Sequence, residues 1–348
     1  MISPPRPIKI LALTPKGAVL ARRLCRSLPG AQCWLSQAQA GEPGDLVFVS
    51  LSQTLGEAFA RGENLVCVMA VGIVVRSIAP FLKSKACDPG VVVVDEAGQF
   101  AISLLSGHLG GANELAHEVA RILGGTPVIT TATDVQGLPA LDLLAVEHGL
   151  TIENLPEVRV ISMALLEGRP VRVVDQYNCL AEMVSAYPEL FVPETDLDRA
   201  LGIPGPVVYV GFRERPWPAD WLRLRPRNLV AGMGCHKGTP EKELIDFIEY
   251  TFQQEGLSLL SLKALATIEA KKEEPGLRMA ARSLGVEFLW FTAQELEAMP
   301  APNPSPRVAR HMGVVSVSEA AALKAGGVEL IVPKRKAANA TLAVARVA

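Results

Sequence analysis

The run Leu104-Leu-Ser-Gly-His-Leu-Gly-Gly-Ala-Asn-Glu-Leu-Ala-His117 leaves an apolar strand pattern, turns through three glycines and enters a helical pattern. Glycines at such a turn let a backbone approach a ligand, and the free N–H groups of a helix start favour an anion. His108 sits in the turn, where an imidazole that titrates near neutral pH can serve as a general base. Its plainer role would be to cap the turn, and both readings stand. His117 falls about 200° around the helix from Leu115 and is expected at the surface.

Thr130-Thr-Ala-Thr-Asp134 follows a second strand pattern. It would bring hydroxyls and one carboxylate to the strand's C-terminal end, where open α/β sheets place their ligands. The alternative is that Thr133 or Asp134 caps the next helix. Thr14-Pro-Lys-Gly17 stands in the same way after the first strand, or is a plain proline-led helix start. Ala231-Gly-Met-Gly-Cys-His-Lys-Gly238 repeats the sequence of strand, glycine turn and helix, and reads as a phosphate or carboxylate cradle to which Lys237 adds charge. Its third glycine is one residue late for GxGxxG, so a dinucleotide reading is weak. Cys235 and His236 are adjacent, without HExxH, CxxC or a second Cys/His cluster, and neither a metal nor a cofactor is expected. Basic side chains gather at Arg76, Lys83 and Lys85, at Lys271 and Lys272, and at Lys334-Arg-Lys336. Such runs are commonly solvated faces, yet beside loops they could hold a polyanionic small ligand.

These groups need a scaffold, and the 348 residues supply an aliphatic one: 49% hydrophobic but only 5% aromatic. The length suggests two or three domains. With 34 Lys and Arg against 36 Asp and Glu, the net charge of -2 gives no field for nucleic acid or an anionic bilayer. The six cysteines form no CxxC pair and read as buried thiols of a reducing compartment. The N-terminus does not read as a signal peptide, and the longest apolar run, Leu65 to Val75, is too short for a membrane span of about 20 residues. A soluble cytoplasmic protein is expected.

Short β-branched runs alternate with helical patterns from Ile8 to about residue 137, the signature of a parallel sheet wrapped by helices. One antiparallel excursion is expected where Glu96-Ala-Gly-Gln99 joins two strand patterns as a hairpin. Prolines accumulate across 138–226, which reads as a smaller α+β linking module with a helix near Val158 to Leu166 and strands at Val171–Val174 and Val207–Val210. At Asn228 the alternation restarts, so 227–348 is expected to be a second α/β domain. The proline tract Pro300–Pro306 is expected as a surface loop. The fold class is thus two mostly parallel α/β domains joined by a smaller central module.

The ordered motifs Ala70-Val-Gly-Ile-Val-Val-Arg-Ser-Ile-Ala-Pro80, Val91–Gly98, Leu105–Ala116, Val128–Asp134, Gly232–Gly238, Ala266–Lys271 followed by Glu274, Gly313–Ala322 and Lys334–Val344 resemble the CbiG family of cobalamin biosynthesis, the cobalt-precorrin-5A hydrolases. The last third is also similar to the stand-alone protein CobE. The resemblance implies opening of a δ-lactone on a cobalt-containing tetrapyrrole and release of a two-carbon fragment as acetaldehyde. That chemistry asks for a base and for oxyanion donors, here His108 with Asp134, and the N–H groups near Gly110 and Gly111. Ser106, Gly107, Asn113 and Thr131 would join Gly110 and Gly111 in holding substrate. Arg76, Gly234, His236, Lys237, Lys271 and Lys334 would meet its carboxylates. No nucleic acid or membrane partner is implied; other enzymes of the pathway and a second copy of the chain are admissible partners. A non-catalytic tetrapyrrole carrier or chaperone is the competing reading, and a nucleotide-dependent oxidoreductase rests only on the glycine turns.

Overall fold

A computed structural model describes residues 6–84, 87–303 and 316–347. Lys85, positions 304–306 of the proline tract and positions 313–315 of the motif that starts at Gly313 lie outside the described residues. The chain divides into two compact units, Met1–Glu147 and His148–Ala348.

The first unit holds seven strands: β1 (Ile8–Ala12), β2 (Gln32–Ser36), β3 (Leu46–Phe48), β4 (Asn64–Val68), β5 (Val91–Val94), β6 (Phe100–Leu105) and β7 (Thr126–Val128). Their spatial order is β3-β2-β1-β4-β5-β6-β7. Alternate residues of a strand face opposite sides of its sheet. Ile10, Val66, Val68, Val92 and Val94 therefore meet the helices Pro15–Ser27 and Ala112–Leu123 on one side. Leu11, Leu65, Cys67, Val91 and Val93 meet Leu51–Arg61 and Val71–Ile78 on the other. Each fully buried Val or Leu contributes about 1.5–3 kcal/mol relative to exposure, so both faces hold the sheet.

The expected hairpin is present: β5 and β6 are antiparallel, and β7 then runs parallel to β6. This reversal has a consequence that the sequence pattern did not carry. The C-terminal ends of β6 and β7 open on the sheet edge that holds the N-terminal ends of β4 and β5, since Leu105 pairs with Val91 and Val91 with Leu65. The turn at Thr14, after β1, lies at the opposite edge. There Thr14 caps the helix Pro15–Ser27 by accepting from the Gly17 N–H at 3.1 Å, so its plainer reading holds.

The second unit holds two sheets. One contains β8 (Leu150–Ile152), β9 (Val171–Asp175), β10 (Phe191–Pro193), β11 (Val207–Val210) and β12 (Trp221–Pro226) in the order β10-β9-β11-β12-β8, parallel except for β8. The sequence pattern showed only β9, β11 and the helix Pro156–Leu166 there. The other sheet contains β13 (Leu229–Cys235), β14 (Leu262–Ile268), β15 (Glu287–Phe291), β16 (Gly327–Lys336) and β17 (Ala340–Val347), with β13, β14 and β15 parallel and β17 antiparallel to both neighbours. The helix Val317–Lys324 packs so closely on β13 that a Cβ at Gly232 would lie 1.9 Å from the Ser318 carbonyl oxygen.

One buried charge organises the first of these sheets. Arg225 on β12 is fully buried, donating to Glu153, to the carbonyls of Gly211 (2.9 Å) and Arg213 (2.6 Å) and to Glu214 (2.5 Å). Its guanidinium lies 5.7 Å from the Tyr209 ring and 5.9 Å from that of Trp217. A buried cation is tolerated when its donors are satisfied and its charge is matched.

Candidate active site

The turn after β6 is crowded by its own residues. A Cβ at Gly107 would lie 2.6 Å from Asn113 Oδ1, and one at Gly110 would lie 2.3 Å from the Ser106 Cβ. The glycines are thus required by contacts within the protein, whereas the sequence suggested approach to a ligand. Three of the backbone donors are engaged as well. Gly111 N–H donates to the His108 carbonyl (2.7 Å), Ala112 N–H to that of Ser106 (3.2 Å) and Asn113 N–H to that of Gly107 (3.0 Å). The oxyanion donor expected at Gly111 is therefore already occupied, because the loop closes on itself before the helix begins.

The side chains of the turn form a connected polar network. His108 Nε2 lies 2.8 Å from Asp134 Oδ2, and His108 Nδ1 lies 3.3 Å from Asp142 Oδ1. Asn113 Nδ2 donates to Asp134 Oδ2 (3.2 Å) and to Thr131 Oγ1 (3.3 Å), while Asn113 Oδ1 accepts from Ser103 Oγ (2.7 Å). Exposure rises along the chain of acids: the Asp142 side chain is 7% exposed, His108 16% and Asp134 35%. Asp142, with Asp134 second, raises His108 to about 9 against the opposing effect of burial. Asp142 itself is penalised by burial, but the hydrogen bond and charge of His108 and the Leu143 N–H hold its carboxyl below the ordinary value. The two carboxylates therefore favour the imidazolium at neutral pH, with Nε2 hydrogen-bonded to Asp134 and Nδ1 ion-paired with Asp142. A general base near neutral pH, as the turn first suggested, would need a free ring nitrogen.

Asp134 lies within the short helix Ala132–Val135, and its carboxylate turns to His108 and Asn113 rather than capping that helix. The sequence reading missed Asp142. It belongs to Leu141–Glu147, in the first compact unit, and is a lone acid in the run Leu138-Pro-Ala-Leu-Asp-Leu-Leu-Ala145. A carboxylate embedded in such a run needs a partner, and that was the available signal. His117 is exposed, as expected.

The second glycine turn is filled differently. Gly238 N–H donates to Glu274 Oε1 at 2.5 Å, and Lys271 Nζ lies 3.2 Å from Glu274 Oε2. Burial of Glu274 is outweighed by these two donors, and its carboxyl sits below the usual range. The chain's own carboxylate thus stands where the cradle was expected to take an anion, which also removes the support for nucleotide binding at this turn. His236 pairs with Asn339, its N–H donating to the Asn339 carbonyl at 2.8 Å and its Nδ1 lying 3.3 Å from Oδ1. At Gly234 a Cβ would lie 3.0 Å from Thr341 Oγ1. Lys237 is exposed at the turn, and Arg76 is exposed on Val71–Ile78. Lys334 is half-buried: its N–H donates to the fully buried Glu319 at 3.1 Å and its ammonium to the Asn303 carbonyl. The structure joins His108, Asn113, Thr131 and Asp134 of the expected set at one place, and engages Lys271 and Lys334 in ion pairs and hydrogen bonds of their own.

Comparison with known proteins finds three family regions along the chain. The family described as "Cobalamin synthesis G N-terminal" matches residues 53–134, "Cobalamin biosynthesis central region" matches 139–226 and "Cobalamin synthesis G C-terminus" matches 229–345. The chain is 33% identical to the cobalt-precorrin-5A hydrolase of Priestia megaterium, over 97% of this chain and 94% of that one. It is 37% identical to the cobalt-precorrin-5A hydrolase of Salmonella typhimurium, over 91% of each. A shorter match, 37% over 122 residues, covers 34% of this chain and 79% of protein CobE from Sinorhizobium sp. With a full-length relationship above 30% identity and all three family regions in order, the chain belongs to the CbiG family of cobalamin biosynthesis.

Proposed function

We infer that this chain is a cobalt-precorrin-5A hydrolase. The observation that carries the reading is the match, over nearly its whole length, to relatives bearing that name. Water adds to the lactone carbonyl of the cobalt-containing tetrapyrrole and the ring C–O bond opens to an acid and an alcohol. The alcohol then loses its proton, its C–C bond to the macrocycle breaks, the macrocycle keeps the electron pair and takes a proton, and the two-carbon fragment leaves as acetaldehyde. The cobalt belongs to the substrate.

We place the chemistry at His108 and Asp134, because a partly exposed carboxylate held by an imidazolium is the kind of group that acid–base work requires. Ser106, Gly107, Gly110, Gly111, Asn113 and Thr131 shape that place. Arg76 and Lys237, exposed and basic, are proposed to meet substrate carboxylates, with Gly234, His236, Lys271 and Lys334 as support for the second turn and its sheet. Cytoplasmic work is part of the same proposal; among the described residues no helix is long and apolar enough to cross a membrane. The carrier reading is favoured by one fact, that a protein similar to the last third alone exists. Incubating the purified protein with cobalt-precorrin-5A and assaying acetaldehyde separates the two: release at catalytic rate supports the hydrolase, and stoichiometric binding without release supports the carrier.

A further inference from the structure

Both nitrogens of His108 face carboxylates, so the imidazole has no free lone pair with which to take a proton from water. Asp134 differs. Its Oδ2 accepts from His108 and Asn113, while among the described residues Oδ1 has no partner, and the side chain is the most exposed of the three. We propose that Asp134 is the base of the hydrolytic step, that His108 stands behind it as a fixed cation, and that Asp142 is the positioning residue that holds the imidazole in place.

This proposal rests on the hydrolase reading and deepens it. Asp134 removes a proton from water as the water oxygen bonds to the lactone carbonyl carbon. The ring C–O bond then breaks with its electron pair on the departing oxygen, and the proton returns from Asp134 to that oxygen. Water is consumed, one acid and one alcohol form, and neither an oxidant nor a second proton donor is required. His108 keeps its charge throughout, so its hydrogen bond orients Oδ1 outward without competing for the proton. Asp142 touches neither water nor substrate in this scheme. It fixes the ring by pairing with Nδ1 at 3.3 Å from a side chain that is 7% exposed, where a second carboxylate favours the doubly protonated imidazole. The titratable groups that face His108 among the described residues are Asp134 and Asp142, and the helix Ala112–Leu123 contributes the neutral Asn113.

Three variants test the assignment: Asp134→Asn, Asp142→Asn and Asp142→Glu, each with kcat, KM and melting temperature, and with an NMR titration of His108 that needs no substrate. Asp134→Asn should lower kcat by a factor on the order of 100 to 10,000, the range of a positioned acid–base group, at little change in KM. Asp142→Asn should move the His108 titration from about 9 toward the ordinary value and bring the alkaline limb of kcat/KM down with it; Asp142→Glu should restore both. A folded Asp134→Asn enzyme with wild-type kcat overturns the base assignment. An Asp142→Asn protein whose His108 titration and alkaline limb are unmoved overturns the positioning role. Wild-type protein that releases no acetaldehyde at any pH overturns the hydrolase reading itself, and with it the base, while the titration still decides what Asp142 does.

Discussion

The two strand–glycine–helix turns look alike in sequence and differ in what fills them. At Ser106–Gly111 the filling groups are a histidine between two acids, one of which is 35% exposed. At Gly232–Gly238 the filling group is Glu274, buried and matched by Lys271 and a backbone N–H. In both cases the deciding carboxylate arrives from well along the chain, 26 residues for Asp134 and 36 for Glu274. Glycine spacing shows where the backbone must come close to something. It does not show whether that something is a ligand or the protein.

The sharpest way to break this contrast is to remove the histidine of each turn. His108→Ala should lower acetaldehyde turnover about 100-fold, as expected for a misplaced catalytic group, whereas His236→Ala should change it less than about two-fold. Equal losses, measured as kcat, would make the turns functionally alike.

The next largest effect concerns stability. His108 is raised in the folded chain, so its contribution of about 2–3 kcal/mol is fully present below the unfolded value near 6.5 and is lost as pH rises toward about 9. Urea unfolding of the wild type should therefore show more loss between pH 6 and pH 9.5 than unfolding of Asp142→Asn; parallel curves would mean that the pair adds nothing to folding. At the other turn, Glu274→Ala should lower stability by about 1–3 kcal/mol, since it leaves the Gly238 N–H and Lys271 without their acceptor, with kcat within about two-fold. A large fall in kcat would make the second turn catalytic. The smallest effect is expected at Lys334, Arg335 and Lys336. Lys334 is held by Asn303, and Arg335 pairs with Glu255 at 2.5 Å. Triple replacement by Ala should change KM at low ionic strength by less than about two-fold, and a larger rise would restore the run as a substrate contact.

Much of the scaffold was legible because apolar periodicity carries it. Leu115, Val119 and Ile122 mark one face of Ala112–Leu123, and that face packs on the sheet. β2 was missed since Gln32-Cys-Trp-Leu-Ser36 is polar at its ends and buries only Cys33 and Leu35. β12 was missed because Arg223, Arg225 and Pro226 look like a loop, although Arg225 is buried by ion pairing, which hydropathy cannot register. The site was half legible. His108 and Asp134 stood at strand ends, but Asp142 lay among apolar residues and the protonation of His108 follows from both acids together.

Arg225 also bears on the order of assembly. Its partners reach back as far as Glu153, 72 residues earlier and just beyond β8, and include the segment that follows β11. A guanidinium enclosed before those acceptors arrive would be an unmatched charge in a poor solvent. A sheet with β12 in place but β8 or the segment after β11 still absent would leave Arg225 short of acceptors, so these parts are expected to come together in a non-local step that loop closure over that distance slows. An apolar residue of similar volume at 225 removes that requirement, so the same feature that fixes the register of the sheet also sets the pace at which the chain reaches it.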